Sequence, residues 1–398
     1  VLQGHTSNST SRNGWVAGKP DVGTIRCSHR PAAGIFERGI LGEQPAHTWL
    51  QTGMPLAGQT DCLCMQRVTV RVPGSTSNLG PGFDCLGIAL RIHNRVTLVR
   101  SRVRSVSHPP IVSEAADRFF KHARRRAFSF SYCIAEQVPR ERGLGSSATV
   151  RLGVLLALNR LSDSPLDRAA IFGICADLEG HPDNAAPATF GGFTVTRNDG
   201  FPAVIFRRLP KLSFPGYTTQ HFDVSPRLRF VLLIPELKIK TSKARRILPS
   251  KISRIAAVEN CGNACALTAA FVSQDYRKLR GTFTDYLHQP FRSKLLAFLP
   301  RVIAAAERAG ALGAFLSGSG STIAAVTLHA PKKVAAAMLH AARTPARTII
   351  TQGDNRGAQV LPLRNAQPRR GIATEGKAPT GSGERARAAR EFQSTVEC

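Results

Sequence analysis

Acidic side chains are scarce: 26 Asp and Glu stand against 54 Lys and Arg, a formal charge of +28 over 398 residues. So large an excess calls for an anionic substrate, an anionic surface or nucleic acid. Aromatic residues are also few, at 7% with only two Trp. None is interleaved with the basic clusters Arg100, Arg102, Arg104 and Lys121, Arg124, Arg125, Arg126, so a base-stacking surface is not supported. There is no CxxC pair and no HExxH, which excludes a zinc ribbon and a zincin. The nine cysteines are odd in number and scattered, so reduced thiols are expected rather than a disulfide framework. No uninterrupted apolar run reaches the roughly 18 residues that would cross a bilayer, and a 42% hydrophobic share argues against a mainly disordered chain. Gly, Ser and Thr break up the opening segment, so no secretory leader is expected, and a cytoplasmic protein without membrane or nucleic-acid partners is.

Residues 1–64 hold scattered turn formers and no apolar period, and read as a disordered or non-native extension. Residues 365–398 hold few large apolar residues and read as a disordered basic tail. These ends carry +1 and +2, which leaves +25 on residues 65–364. Within that body strand-like and helix-like periods alternate, so the class is α+β. Val68, Val70 and Val72 alternate with polar residues as in a half-buried strand, with a Gly/Pro-rich loop expected after them. Runs at 229–234 and 323–328 predict buried strands, and 147–161, 255–273, 300–309 and 332–343 predict helices. A change of texture near Pro226 divides an N-terminal domain (65–225) from a C-terminal one (226–364).

The most informative stretch is SYCIAEQVPRERGLGSSATVRLGVLLALNRL, Ser131 to Leu161. A strand expected to end at Pro139 leads into Gly143-Leu144-Gly145-Ser146-Ser147 and then a helix. Glycines let backbone N–H groups approach an anion that the helix N-terminus also favours, the geometry of a phosphate cradle. As an abstract pattern, a plain helix cap is the commoner explanation. The loop is neither GxxxxGK[ST] nor GxGxxG. Three further segments are rich in short polar residues and glycine: VRVPGSTSNLGPGFDCLGIAL (Val70 to Leu90), LEGHPDNAAPATFGGF (Leu178 to Phe193) and GALGAFLSGSGSTIAAV from Gly310. Each alone reads equally as a turn or a helix exit.

Taken together and in this order, GLGSSA and the other three resemble the motifs of the GHMP small-molecule kinases, in their homoserine kinase form, over Met65 to Leu363. The resemblance implies a two-domain fold: an N-terminal mixed α/β domain with the phosphate loop and a C-terminal ferredoxin-like α/β sandwich. It implies ATP-dependent phosphorylation of the L-homoserine hydroxyl on the route to threonine, with Mg²⁺, and a homodimer is compatible with it. Carried over residue by residue, it places ATP on Pro139, Arg142, Gly143, Leu144, Gly145, Ser146, Ser147, Ala148 and Thr149. It places Mg²⁺ on Ser147 and Glu179. The amino acid would meet Asn78, Asp84, His181, Asn184, Arg245 and Arg292, with Thr241, Arg245 and Asn184 at the reacting groups. Arginine suits a carboxylate because its planar fork pairs both oxygens. Three departures stand out, one of them an interval between Asp84 and Gly143 that is shorter than usual. Glu141 occupies a position where relatives have a small residue, and Pro110 precedes Ile111-Val112 where many have Asn. The alternatives are another kinase of the family, or an inactive kinase fold that binds a polyanion.

Overall fold

The computed structural model describes residues 66–101, 107–199 and 216–362. The two expected appendages, and Arg102 and Arg104 of one basic cluster, lie outside the described residues. The chain opens with a long antiparallel pair, β1 (Arg67–Asn78) and β2 (Gly82–Arg100). Val70 and Val72 face the core as their alternation predicts, but the strand does not stop there. It continues through Gly74-Ser75-Thr76-Ser77, where a loop was expected, because those side chains are covered on both faces. The register with β2 shifts at Pro73/Gly74 and at Ser77/Asn78, where β2 carries the extra residues.

Helix α1 (Pro110–Ala123) is followed by β3 (Phe130–Ala135), which pairs with β2 and ends four residues before Pro139. Next come α2 (Ser146–Leu161), α3 (Arg168–Glu179), α4 (Ala185–Phe190), β4 (Phe193–Asn198) and β5 (Tyr217–Phe222). Helix α2 is apolar almost all round because α1, α3 and the sheet enclose it. Gly153 lets it lie against β2, since a Cβ there would meet Val96 Cγ2 at 2.5 Å.

Beyond Pro226 lie β6 (Arg229–Pro235), α5 (Thr241–Arg246), α6 (Arg254–Val272), α7 (Gln289–Arg292) and α8 (Leu299–Arg308). The chain then forms β7 (Gly313–Leu316), β8 (Ile323–Thr327), α9 (Pro331–Ala342), β9 (Ala346–Thr351) and β10 (Gln359–Leu361). The second sheet runs β7-β8-β6-β9, all antiparallel. Counted along the chain that is the order 2-3-1-4, the split βαβ of a ferredoxin-like sandwich. Its first strand buries all of Phe230 to Pro235 between helices and the first sheet's core. β10 then returns to the first sheet beside β1, pairing Thr69 with Leu361.

Among the described residues α6 is the one helix long and apolar enough to span a bilayer by length and composition, with a mean hydropathy of 1.3 and 22% of that stretch buried. Its polar residues tie it to the protein: Asn260 Nδ2 donates to Pro81 O (2.8 Å), and Asn263 Nδ2 to Thr284 O (3.1 Å).

Candidate active site

Three glycine-rich segments meet at one end of α2. Gly143 and Gly145 both take positive φ (71° and 69°), which brings the 143–147 turn across the end of the helix. No side chain caps the helix N-terminus, so its first N–H groups face a cavity of about 730 Å³. The turn is clamped from both sides. Ser75 N donates to Leu144 O (3.0 Å), while Ser317 Oγ donates to Gly143 O (2.6 Å) and Thr322 N to Arg142 O (3.2 Å). Thr76 Oγ1 and Ser317 Oγ, 2.8 Å apart, complete the link between β1 and the β7–β8 loop.

Of the nine residues expected to hold ATP, Arg142, Gly143, Leu144, Gly145, Ser146 and Ser147 line the cavity. Pro139, Ala148 and Thr149 do not. Ala148 and Thr149 are fully buried, and the Thr149 hydroxyl donates to Ser146 O (2.7 Å) while accepting from Asn94 Nδ2 (2.8 Å). Both are turned into the core, so of the first turn's side chains those of Ser146 and Ser147 reach the cavity. Pro139 lies where the chain has already left β3. Apolar side chains of Pro109, Ile111, Val112, Tyr132 and Val150 also line the cavity. Glu141 also lines the cavity and has φ of 54°, a left-handed backbone state that costs a residue with a Cβ.

Ser147 and Glu179, far apart in sequence, come together: Ser147 Oγ donates to Glu179 Oε2 at 2.7 Å. Arg151 Nη1 holds the other carboxylate oxygen at 2.5 Å.

The residues expected to hold the acceptor line the same cavity. The αL backbone of Asp84 (φ 59°) places its carboxylate in the fork of Arg245, with Nη1–Oδ2 at 2.9 Å and Nη2–Oδ1 at 2.6 Å. That hydrogen bond, with burial opposing it, raises the Arg245 pKa. Thr241, the first residue of α5, puts Oγ1 3.3 Å from Ser319 Oγ in the β7–β8 loop. Asn78 and Asn184 also line the cavity, but their amides brace the loops around it. Asn78 Oδ1 accepts from Asp84 N (3.0 Å), and its Nδ2 donates to Gly318 O (3.2 Å). Asn184 Oδ1 accepts from Ser75 Oγ (2.8 Å), and its Nδ2 donates to Ser77 Oγ (3.1 Å).

Asp183 was not singled out from sequence although it stands in the same string as His181 and Asn184. It is almost fully buried, lines the cavity, and its Oδ1 lies 2.6 Å from His181 Nδ1. Burial disfavours both charges, yet the bond between them prevails: the His181 pKa is raised and the Asp183 pKa lowered. The signs set a window. The His181 contribution to stability is complete below about pH 6.5 and is lost as pH rises through the raised value. The Asp183 contribution is complete above about pH 3.9 and is lost as pH falls through the lowered value. Urea unfolding across pH should therefore show a fall in midpoint on the alkaline side of that window. His181→Gln should flatten that fall, and a wild-type midpoint that does not change from pH 6 to 9 would count against the pair.

A phosphate cradle facing a mixed-charge pocket, set between an α/β layer and a ferredoxin-like sandwich, defines a small-molecule phosphotransferase. The GHMP kinases N terminal domain matches residues 110–192, and the GHMP kinases C terminal domain matches residues 267–343. A homoserine kinase of Carboxydothermus hydrogenoformans is 35% identical over 272 residues, which cover 65% of this chain and 84% of that protein. One of Gloeobacter violaceus is 36% identical over 276 residues, covering 65% and 87%. The crystal structure of homoserine kinase from Cytophaga hutchinsonii superposes with a TM-score of 0.65 at 24% identity, over 77% of this chain and all of that one, and shows the shared fold. The chain belongs to the GHMP kinase family.

Proposed function

We propose that this kinase transfers the γ-phosphoryl group of ATP to the side-chain hydroxyl of L-homoserine, giving O-phospho-L-homoserine for threonine synthesis. One observation carries the acceptor class. Two arginines, Arg245 and Arg292, and two carboxylates, Asp84 and Asp183, line the same cavity as the cradle. A free amino acid supplies a carboxylate for an arginine, an ammonium for a carboxylate and a hydroxyl for transfer. A sugar offers neither charge. Relatives that bear the name homoserine kinase, at 29% to 36% identity, support the same reading.

The uncapped N-terminus of α2 receives phosphate oxygens, and the apolar lining at Pro109, Ile111, Val112 and Val150 suits an adenine ring. Ser147 Oγ and Glu179 Oε2 are two hard oxygens beside the cradle. They suit a Mg²⁺ ion, which takes few protein ligands and completes its shell with phosphates and water. A metal held there would neutralise phosphate charge. Thr241 and Arg245 line the same cavity, and there they orient the acceptor hydroxyl and offset charge on the transferring group. No dedicated base is required by a loose transition state, in which positioning contributes roughly 7 to 11 kcal/mol and a base about 3 to 5.

Side-by-side ADP-release assays with homoserine, mevalonate and galactose test the acceptor. Homoserine should be preferred, and equal or better rates with another acceptor would reassign the site. Glu179→Gln should raise the Mg²⁺ concentration for half-maximal activity by about tenfold or more. The homoserine KM should stay near wild type. A magnesium titration unchanged by this substitution would remove Glu179 from the metal site.

A further inference from the structure

Arg292 is the largest fully buried side chain among the described residues, and no carboxylate lies within ion-pair distance of it. Burial and the nearby Arg245 charge bring its pKa down to about 10, so it remains a cation at working pH. Its guanidinium is held at two of its three nitrogens. Nε donates to Ala244 O (3.2 Å), and Nη1 donates to Gly318 O (2.9 Å) and to His288 Nδ1 (3.2 Å). Nη2 carries no hydrogen bond, and the residue lines the cavity. A buried cation with a free NH₂ group, on a residue that lines a cavity, is a site that asks for an anion.

The histidine that holds it is fully buried as well. His288 Nε2 lies 2.9 Å from Gly80 O, in the turn between β1 and β2. A carbonyl only accepts, so Nε2 carries the proton and Nδ1 presents a lone pair, which is what a guanidinium donor needs. Desolvation and the Arg292 charge, opposed by Asp285, lower the His288 pKa to about 4, and the neutral ring persists at working pH. Asp285 also fixes the backbone here. Its Oδ2 accepts from His288 N (3.0 Å) and Gln289 N (2.6 Å) at the start of α7. The Phe83 ring lies 5.3 Å from the imidazole and 5.2 Å from the Arg292 guanidinium carbon, closing the remaining side.

We propose that His288 is a positioning residue: by joining Gly80 to Arg292 through one neutral tautomer, it aims the free Nη2 of Arg292 at the acceptor's carboxylate. This rests on the homoserine reading of the cavity. It predicts that the imidazole's two nitrogens have separable effects. In His288→Gln the amide nitrogen reaches the Nε2 position and keeps the Gly80 bond, but no acceptor remains for Arg292. In His288→Asn the amide oxygen replaces Nδ1 and keeps the Arg292 bond.

The test compares L-homoserine with 3-aminopropan-1-ol, the same amino alcohol without the carboxylate, by ADP release from each full-length variant. The expected result for His288→Gln is a homoserine KM raised about tenfold, with the KM for ATP within about threefold of wild type. The preference for homoserine over the aminopropanol should shrink by a similar factor. His288→Asn should recover most of that preference. A ratio of two acceptors is measured on the folded fraction alone, so loss of stability in either variant does not mimic the effect. The proposal is overturned if His288→Gln keeps the wild-type preference, or if His288→Asn loses it equally. Failure of the substrate reading shows up differently, as absence of homoserine-dependent turnover in the wild-type enzyme, before any variant is made.

Discussion

Arg245→Ala should lower kcat by about 10²- to 10³-fold, the range typical for removing one donor that stabilises transition-state charge. Stability should barely change. The Arg245–Asp84 ion pair is about one-third exposed on both sides (36% and 33%), and such pairs contribute about 0 to 1 kcal/mol. In the structure the bidentate pair also joins two residues expected to serve the substrate, so an entering ammonium would compete with Arg245 for Asp84. Asp84→Asn should therefore raise the homoserine KM more than it lowers kcat, the opposite split. Steady-state kinetics with a thermal melt for each variant separates these outcomes. An Arg245→Ala enzyme within a few-fold of wild-type kcat would remove Arg245 from the transfer step.

The second large effect is expected at Gly143, and it acts on folding as well as turnover. With φ at 71°, a Cβ there would lie 2.1 Å from Ser317 O and 2.9 Å from Gly320 N, both backbone atoms. Relief requires the β7–β8 loop to move away from the cradle, which breaks the Ser317 Oγ to Gly143 O bond. Left-handed strain costs about 1 to 2 kcal/mol, and overpacking about 1 to 3 more. Gly143→Ala should thus lose ATP-dependent turnover and melt well below wild type. At Gly145 the nearest obstacle is the Ser75 hydroxyl, at 2.3 Å, the end of a rotatable side chain. Gly145→Ala should be the milder of the two in stability. Equal melting temperatures for Gly143→Ala and the wild type would show that the loops are not clamped as described.

Much of the scaffold could be read from periodicity. Helices α2, α8 and α9 and strands β6 and β8 begin and end within a residue of the sequence expectation, because buried elements impose an uninterrupted pattern; α6 does so too although it is mostly exposed. The path of β1 through Ser75-Thr76-Ser77 could not be read. These polar residues are buried by partners more than 100 positions away, Asn184 and Ser317, and a single sequence does not record such pairings. The same blindness hid Asp183, His288 and Phe83. Each looks ordinary in its own string and acquires meaning only from the residues folded against it. For the cradle, the motif located the turn correctly, but it did not distinguish backbone from side chain, which is why Thr149 and Ala148 turn out to face the core. Charge was the least informative signal: most of the +25 on residues 65–364 lies outside the cavity, whose named cations are a handful.

The central claim is that phosphate passes from ATP to the hydroxyl of homoserine in this cavity. ³¹P NMR of the full-length protein with ATP, L-homoserine and Mg²⁺ tests it most directly. The account predicts a new phosphomonoester signal growing in step with ADP, absent without homoserine and slowed by about 10²- to 10³-fold in Arg245→Ala. The contradicting result is no homoserine-dependent phosphomonoester, together with retention on heparin or DNA that collapses between about 50 and 200 mM salt, as expected of a polyanion-binding protein.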